Sequence, residues 1–209
     1  MFADVWFIPM PWWNVNRHLG PLRRASIGLG RIRHHATTKT ATNDVAEAAL
    51  DWDIDMIHSG ASVVRSGALA ASKVDVPHVW HIKEAIGSSN RVHFPLSDDE
   101  LVAYISGLSS EVVVMSEYIG DIFKKHHCPN LSILADGVDT TPYLNGTARN
   151  LRSRLGVADH EILVGMVASL SSVWKNHDIF IRMVSRLIQS RDMKFVLVGP
   201  KPKNNRWPH

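Results

Sequence analysis

Short apolar runs recur along the chain: IDMIH at 54–58, HVWHI at 78–82, VVVM at 112–115, LSIL at 131–134, ILVGMV at 162–167 and FVLV at 195–198. The intervals between them carry helical patterns. This alternation is what most limits the fold. A strand followed by a crossover helix returns in parallel, so the pattern predicts an α/β protein with mainly parallel sheets. An earlier run, VWFI at 5–8, reads as one more strand, stopped by Pro9 and Pro11. The residues after Pro11, up to about position 40, show no readable period.

Several helix boundaries are explicit. Ser97-Asp98-Asp99-Glu100 is a capping box. The helix it opens has one apolar face, made by Leu101, Val102, Ile105 and Leu108. Ser116 is placed to cap the next helix. That helix is expected to turn Tyr118, Ile119, Ile122 and Phe123 inward. It ends in Lys124, Lys125, His126 and His127, cations that suit a helix C-terminus. Residues 41–51 have helical composition. Residues 63–73, rich in alanine, suit a helix pressed close to a sheet.

The stretch 136–150 is turn-rich, with Gly137, Pro142, Asn145 and Gly146, and reads as a connection. It divides the chain into residues 1–138 and 139–209. The second part begins with a short helix at 151–155, stopped by Gly156. The strand at 162–167 leads to a helix from Asn176 to about Ser190. Ile179, Phe180, Met183, Val184, Leu187 and Ile188 recur along it at three-and-four spacing. Two strands make no stable parallel domain alone. They are expected to extend the first sheet or to belong to a unit that is cut short.

Composition narrows the classes. With 209 residues, 45% of them hydrophobic, the chain can build a real core. No run of eighteen apolar residues predicts a membrane span, and the start lacks the features of a signal peptide. Cys128 stands alone, which excludes an internal disulfide and a cysteine-based zinc cluster and fits a reducing compartment. The sequons at Asn130 and Asn145 are then chance matches. The net charge is only +3, yet residues 5–43 hold no acidic residue. Arg17, Arg23, Arg24, Arg31, Arg33 and Lys39 fall there, behind Trp6, Phe7, Trp12 and Trp13. Such a segment suits an anionic membrane surface, an acidic acceptor or nucleic acid. It equally suits a solvated loop and helix face.

Ligands of open α/β sheets bind at the carboxyl ends of the strands. His58 ends one strand there, followed by Ser59 and Gly60. His81 nearly ends another, followed by Lys83 and Glu84. Either histidine alone reads as a hydrogen-bonded structural residue; two at matching strand ends point equally to a site. Ser171, Ser172 and Lys175 follow the strand at 162–167 and precede a helix. A strand, a serine-rich turn and a helix N-terminus make an anion site, through free N–H groups and the helix dipole. Lys175 opposes that dipole, so it is misplaced for the helix and well placed for an anion. It also suits an ordinary exposed first turn. Gly28-Leu29-Gly30 is no dinucleotide fingerprint, and no Walker loop, nucleophile elbow or zinc helix occurs. No metal site is expected.

VPHVWHIKE at 76–84 resembles the "iPhvwHirE" stretch of GT-B glycosyltransferases of family 4, also called group 1. DMIHSGAS at 55–62 looks like the strand before it. ADGVD at 135–139 resembles the "NGVD" that enters that family's second domain. GMVASLSSVWKNHD at 165–178 is similar to its first strand, donor loop and "KnH" lysine, and FVLVG at 195–199 to its second strand. The matches keep the family's order over about residues 50–200.

The resemblance implies two Rossmann-like domains: residues 1–138 on the acceptor side and 139–209 beginning the nucleotide-sugar side. It implies retaining sugar transfer, in cell-surface polysaccharide synthesis, to a glycan or lipid-linked acceptor. No cofactor, metal or nucleic acid is implied; the nucleotide-sugar is a substrate. The place implied is cytoplasmic, with a peripheral contact at the anionic inner face of a membrane. By match, His81 is catalytic. Lys175, Ser171, Ser172 and Gly165 hold the donor diphosphate, and His58, Ser59 and Glu84 touch substrate. Three departures stand out. The donor loop, Ala168-Ser169-Leu170-Ser171, has no arginine. Asp136 replaces the asparagine of "NGVD". The family's first strand with its glycine-rich loop, and its Glu-x7-Glu motif, fall outside the chain, which reads as a fragment. The rival expectation is a remnant without transfer that keeps at most weak nucleotide or glycan binding.

Overall fold

The computed structural model describes residues 5–14, 27–87, 92–144, 151–170, 172, 175–188 and 192–200, without the side chains of residues 27–34 and 143. The chain divides into two compact units, Met1–Val138 and Asp139–His209. Each has its own parallel sheet.

The first unit runs α1 (Ile27–Asp51), β1 (Ile57–Ser59), α2 (Ser66–Val74), β2 (His78–Ile82), α3 (Asp98–Gly107), β3 (Glu111–Val114), α4 (Glu117–Lys125) and β4 (Leu131–Ile133). The strands lie in the order β1-β2-β3-β4, all parallel. Every connection therefore steps the same way. Right-handed crossovers then place α2, α3 and α4 on one face.

Side-chain burial follows. Along β2, His78, Trp80 and Ile82 are buried, while Val79 and His81 face the less covered side. Trp80, Ile82, Val112 and Val114 meet Leu101, Val102, Ile105 and Phe123 from the helices in one core. Each such side chain contributes roughly 1.5–3 kcal/mol when fully buried. A second, alanine-rich cluster holds α1 against α2 and β1, through Ala46, Ala49, Ile57, Ala70 and Ala71.

The caps form as the sequence predicts. Ser97 accepts from the Glu100 N–H, and Glu100 reaches back to Ser97. Ser116 accepts from the Ile119 N–H. Gly120 is required by packing: a Cβ there would sit 2.8 Å from Ile133 Cδ1, so α4 lies directly on β4.

Two expectations fail in this unit, and one unread stretch is helical. Residues 5–8 form no strand; they are an irregular strap with Val5, Trp6 and Phe7 exposed. An apolar run with no ladder partner has nothing to make it a strand. Tyr118 points outward and is 66% exposed, whereas Ile119 and Phe123 are buried. It sits a third of a turn from the face that Ile119 and Phe123 define. Finally, the stretch without a period contains most of α1, the longest of the described helices.

The second unit runs α5 (Thr141–Leu144), α6 (Leu151–Arg154), β5 (Ile162–Val167), α7 (His177–Leu187) and β6 (Met193–Val198). Gly156, at φ +63°, ends the turn after α6 in the left-handed region that glycine enters freely. Strands β5 and β6 pair over their whole length, from Ile162 opposite Met193 to Val167 opposite Val198. They form a separate two-stranded sheet and do not extend the first one. No residue of α7 is buried. Ile179, Met183 and Leu187 line a shallow apolar groove with Arg182 and Arg186.

Candidate functional site

The carboxyl ends of β1, β2 and β4 gather most of the chemistry of the first unit. The loop after β1 is held from three sides. Trp80 Nε1 donates to the Ala61 carbonyl at 2.8 Å. Trp13 Nε1 donates to the Ser62 carbonyl at 2.8 Å, and the Trp13 N–H to the Val63 carbonyl at 3.1 Å. Glu84 Oε2 accepts from the Ser62 N–H at 3.1 Å and from its hydroxyl at 3.0 Å. Trp13 is buried between Phe94 and Tyr104, with Arg65 over its ring. The irregular strap thus delivers Trp13 to this loop.

His58 and His81 come together. Their rings stack at 5.7 Å between centroids, 16° from parallel. His58 is exposed, and His81 lies largely beneath it. His81 Nε2 is shut from solvent and has no hydrogen-bond partner. Its nearest charged neighbour is Asp136 Oδ1 at 4.0 Å. Asp136 is gripped by Lys83, whose Nζ donates to both carboxylate oxygens at 3.1 Å. His81 and Lys83 alternate with buried Trp80 and Ile82, so they share the side away from the helices, and Asp136 reaches them from the exposed segment after β4.

Ser59 and Glu84 are placed differently from these. The Ser59 hydroxyl lies against α2, where a side chain in place of Gly67 would collide with it, and it bonds to His78 Nε2 at 2.9 Å. Glu84 spends Oε2 on Ser62. Both organise the strand ends from behind.

His78 is the residue that sequence reasoning missed. It is buried, and Nδ1 lies 3.1 Å from the Leu108 carbonyl and 3.3 Å from Ser109 Oγ. A carbonyl can only accept, so the proton is on Nδ1 and Nε2 accepts from Ser59. Burial pushes its pKa down to about 4, against the pull of the bond to Leu108; His58 nearby pushes it down further. His78 is neutral at pH 7 and ties β1, β2 and the end of α3 together.

Asn130 is likewise structural. Its amide donates to the Ser106 and Ser109 carbonyls at 3.2 and 2.6 Å, so this sequon asparagine is occupied inside the fold. Asn145 and Ser171 lie outside the described residues.

In the second unit, the segment from Ser169 to Lys175 joins β5 to α7. The Ser172 N–H donates to the Ser169 carbonyl, and the Lys175 N–H to the Ser172 carbonyl, both at 3.2 Å. Lys175 is exposed. Asn176, at φ 54°, caps α7. The first turn holds Asp178, which is paired to Arg182 at 2.5 Å. His177 Nε2, beside Lys175 in sequence, is buried without a partner; nothing in the local pattern marks it. Gly165 lies within β5 opposite Val196, where a Cβ would come 3.3 Å from Val196 Cγ1. At Gly199 a Cβ would collide with the Ala168 carbonyl, so the end of β6 presses on the start of the loop. Among the described residues, no group of three or more His, Cys, Asp or Glu is placed to hold a metal. Among them, no helix is long and apolar enough to cross a membrane.

The architecture has solved counterparts. HepE of Anabaena in complex with UDP superposes with a TM-score of 0.56 at 18% identity, over 76% of this chain and 52% of that one. The same protein with UDP-glucose gives 0.55 at 17% identity, over 77% and 52%. MnaA of S. aureus with UDP gives 0.51 at 13% identity, over 81% and 46%. The chain thus spans about half the length of these structures. No protein-family model matches the sequence, and no curated protein matches it either. At such identities the likeness is one of fold. The protein is α/β with Rossmann-like parallel sheets of the GT-B type.

Proposed function

We propose that the chain serves a retaining glycosyltransferase of family 4, which moves a sugar from a nucleotide-sugar to a glycan or lipid-linked acceptor in cell-surface polysaccharide synthesis. One observation carries this reading: His81 Nε2, a buried ring nitrogen without a partner, sits at a strand end of a fold whose solved counterparts hold UDP or UDP-glucose. Unsatisfied buried nitrogens are costly to keep and are accounted for by a ligand or a catalytic role.

In this reading the first unit faces the acceptor and the second the donor. Lys175 and the N-terminus of α7 stabilise the departing diphosphate, with Ser171, Ser172 and Gly165 shaping the loop around it. His81 lines the transfer site under His58, and Ser59 and Glu84 keep that strand end rigid. The nucleotide-sugar is a substrate, and no metal takes part. The basic segment 15–39 meets an anionic membrane at the cytoplasmic side.

Calorimetry with UDP and UDP-glucose tests the binding half. Product analysis with labelled UDP-glucose and candidate acceptors tests transfer. Absence of any UDP binding would overturn the reading. A free epimerised nucleotide-sugar in place of a glycoside would reassign the reaction. The second reading is a remnant that binds without transfer. UDP binding with no product would support it.

A further inference from the structure

We propose that Asp136 is a positioning residue for His81, itself held in place by Lys83. The inference rests on the reading of His81 as the transfer-site histidine and adds what orients it. Asp136 stands where the resembled family has asparagine, and it faces His81 Nε2 at 4.0 Å. At 4.0 Å the pair is closer than the roughly 4.6 Å that a water bonded to both groups at its tetrahedral angle would set. Apo sites commonly show such bonds long, tightening when ligand binds.

Lys83 supplies the anchor. It bonds both carboxylate oxygens at 3.1 Å, fixing the plane of Asp136 at the end of β4 while Lys83 itself extends from the end of β2. His58 stacks on His81 and limits its tilt. A carboxylate can only accept, so His81 can meet Asp136 only with its proton on Nε2, a bond that forms when the 4.0 Å gap tightens. Nδ1 is then the ring's acceptor. His78 carries its proton on the opposite nitrogen because its Nδ1 faces a carbonyl. The chain thus sets two histidines of one strand in opposite tautomers.

The test is imidazole nitrogen NMR on histidine-labelled protein at pH 8, with His78 as an internal reference for folding. The wild type is expected to show the His81 proton on Nε2, exchanging with water at least about tenfold more slowly than in Asp136→Leu. Asp136→Asn keeps an acceptor and is expected to restore part of the protection. Lys83→Met, which frees the carboxylate, is expected to reduce it. A His81 proton on Nδ1, or equal exchange in wild type and Asp136→Leu with the His78 signal intact, overturns the proposal. If Asp136→Leu loses the His78 signal through misfolding, Lys83→Met decides: unchanged His81 exchange there overturns it. The readout is independent of UDP binding, so failure here is distinct from failure of the transferase reading.

Discussion

One oxygen of Glu84 accepts from both the N–H and the hydroxyl of Ser62, at 3.1 and 3.0 Å, across the mouth between β1 and β2. Ser62 is fully buried. Removing the carboxylate strands two donors away from water. Glu84→Ala is expected to destabilise the first unit by about 2–4 kcal/mol, read from urea unfolding. Glu84→Gln keeps an acceptor and should lose less. An unchanged midpoint for Glu84→Ala would disprove the clamp.

His78 makes stability pH-dependent. Its pKa is lowered in the folded state to about 4, from an unfolded value of 6.5. Between those values the unfolded chain binds the proton and the folded chain does not. The His78 contribution is therefore fully present above pH 6.5 and is lost as pH falls to 4. The shift corresponds to about 3 kcal/mol over that window. Denaturant titrations at pH 7 and pH 4.5 check it. His78→Gln should flatten that slope and lower stability at pH 7.

Lys175 is an exposed cation between β5 and α7. If it meets the diphosphate, Lys175→Ala should weaken UDP affinity about tenfold to a hundredfold, the worth of a charge-assisted hydrogen bond. Calorimetry reads this directly. Equal affinities would remove Lys175 from the site while leaving the fold untouched.

Gly199 admits no side chain, because a Cβ would overlap the Ala168 carbonyl. Gly199→Ala must push the end of β6 away from the loop that leads to Lys175. A loss of about 1–3 kcal/mol is expected, the usual cost of overpacking. Ser97→Ala removes a cap at an exposed helix start and should cost about 1 kcal/mol. Thermal unfolding of the two variants, side by side, tests whether close backbone approach outweighs capping.

How much of the structure is legible in the sequence depends on how local the cause is. HVWHI reads as β2 to the residue, because its buried and partly buried positions alternate within five residues. The Ser97 box is legible because both partners lie in one turn. Helix α1 is not: Gly28, Gly30 and four threonines lower its propensity, and what holds it is alanine contact with α2, a tertiary cause. The stretch at 5–8 misleads for the opposite reason, being apolar enough for a strand but given no strand to pair with; Trp6 packs on Trp52 instead. His58 and His81 are legible as strand ends, but their stacking is not. Nor is the part played by His78, whose partners Ser59 and Leu108 come from other elements.

The loop after β1 has almost no slack. Trp80 ties Ala61, Trp13 ties Ser62 and Val63, and Glu84 ties Ser62 again. A ligand arriving at that mouth meets a surface already cast, and binding there spends no free energy on ordering it. Selectivity at this end is then decided by shape when the chain folds. Induced adjustment has to be sought in exposed side chains rather than in the backbone of this loop.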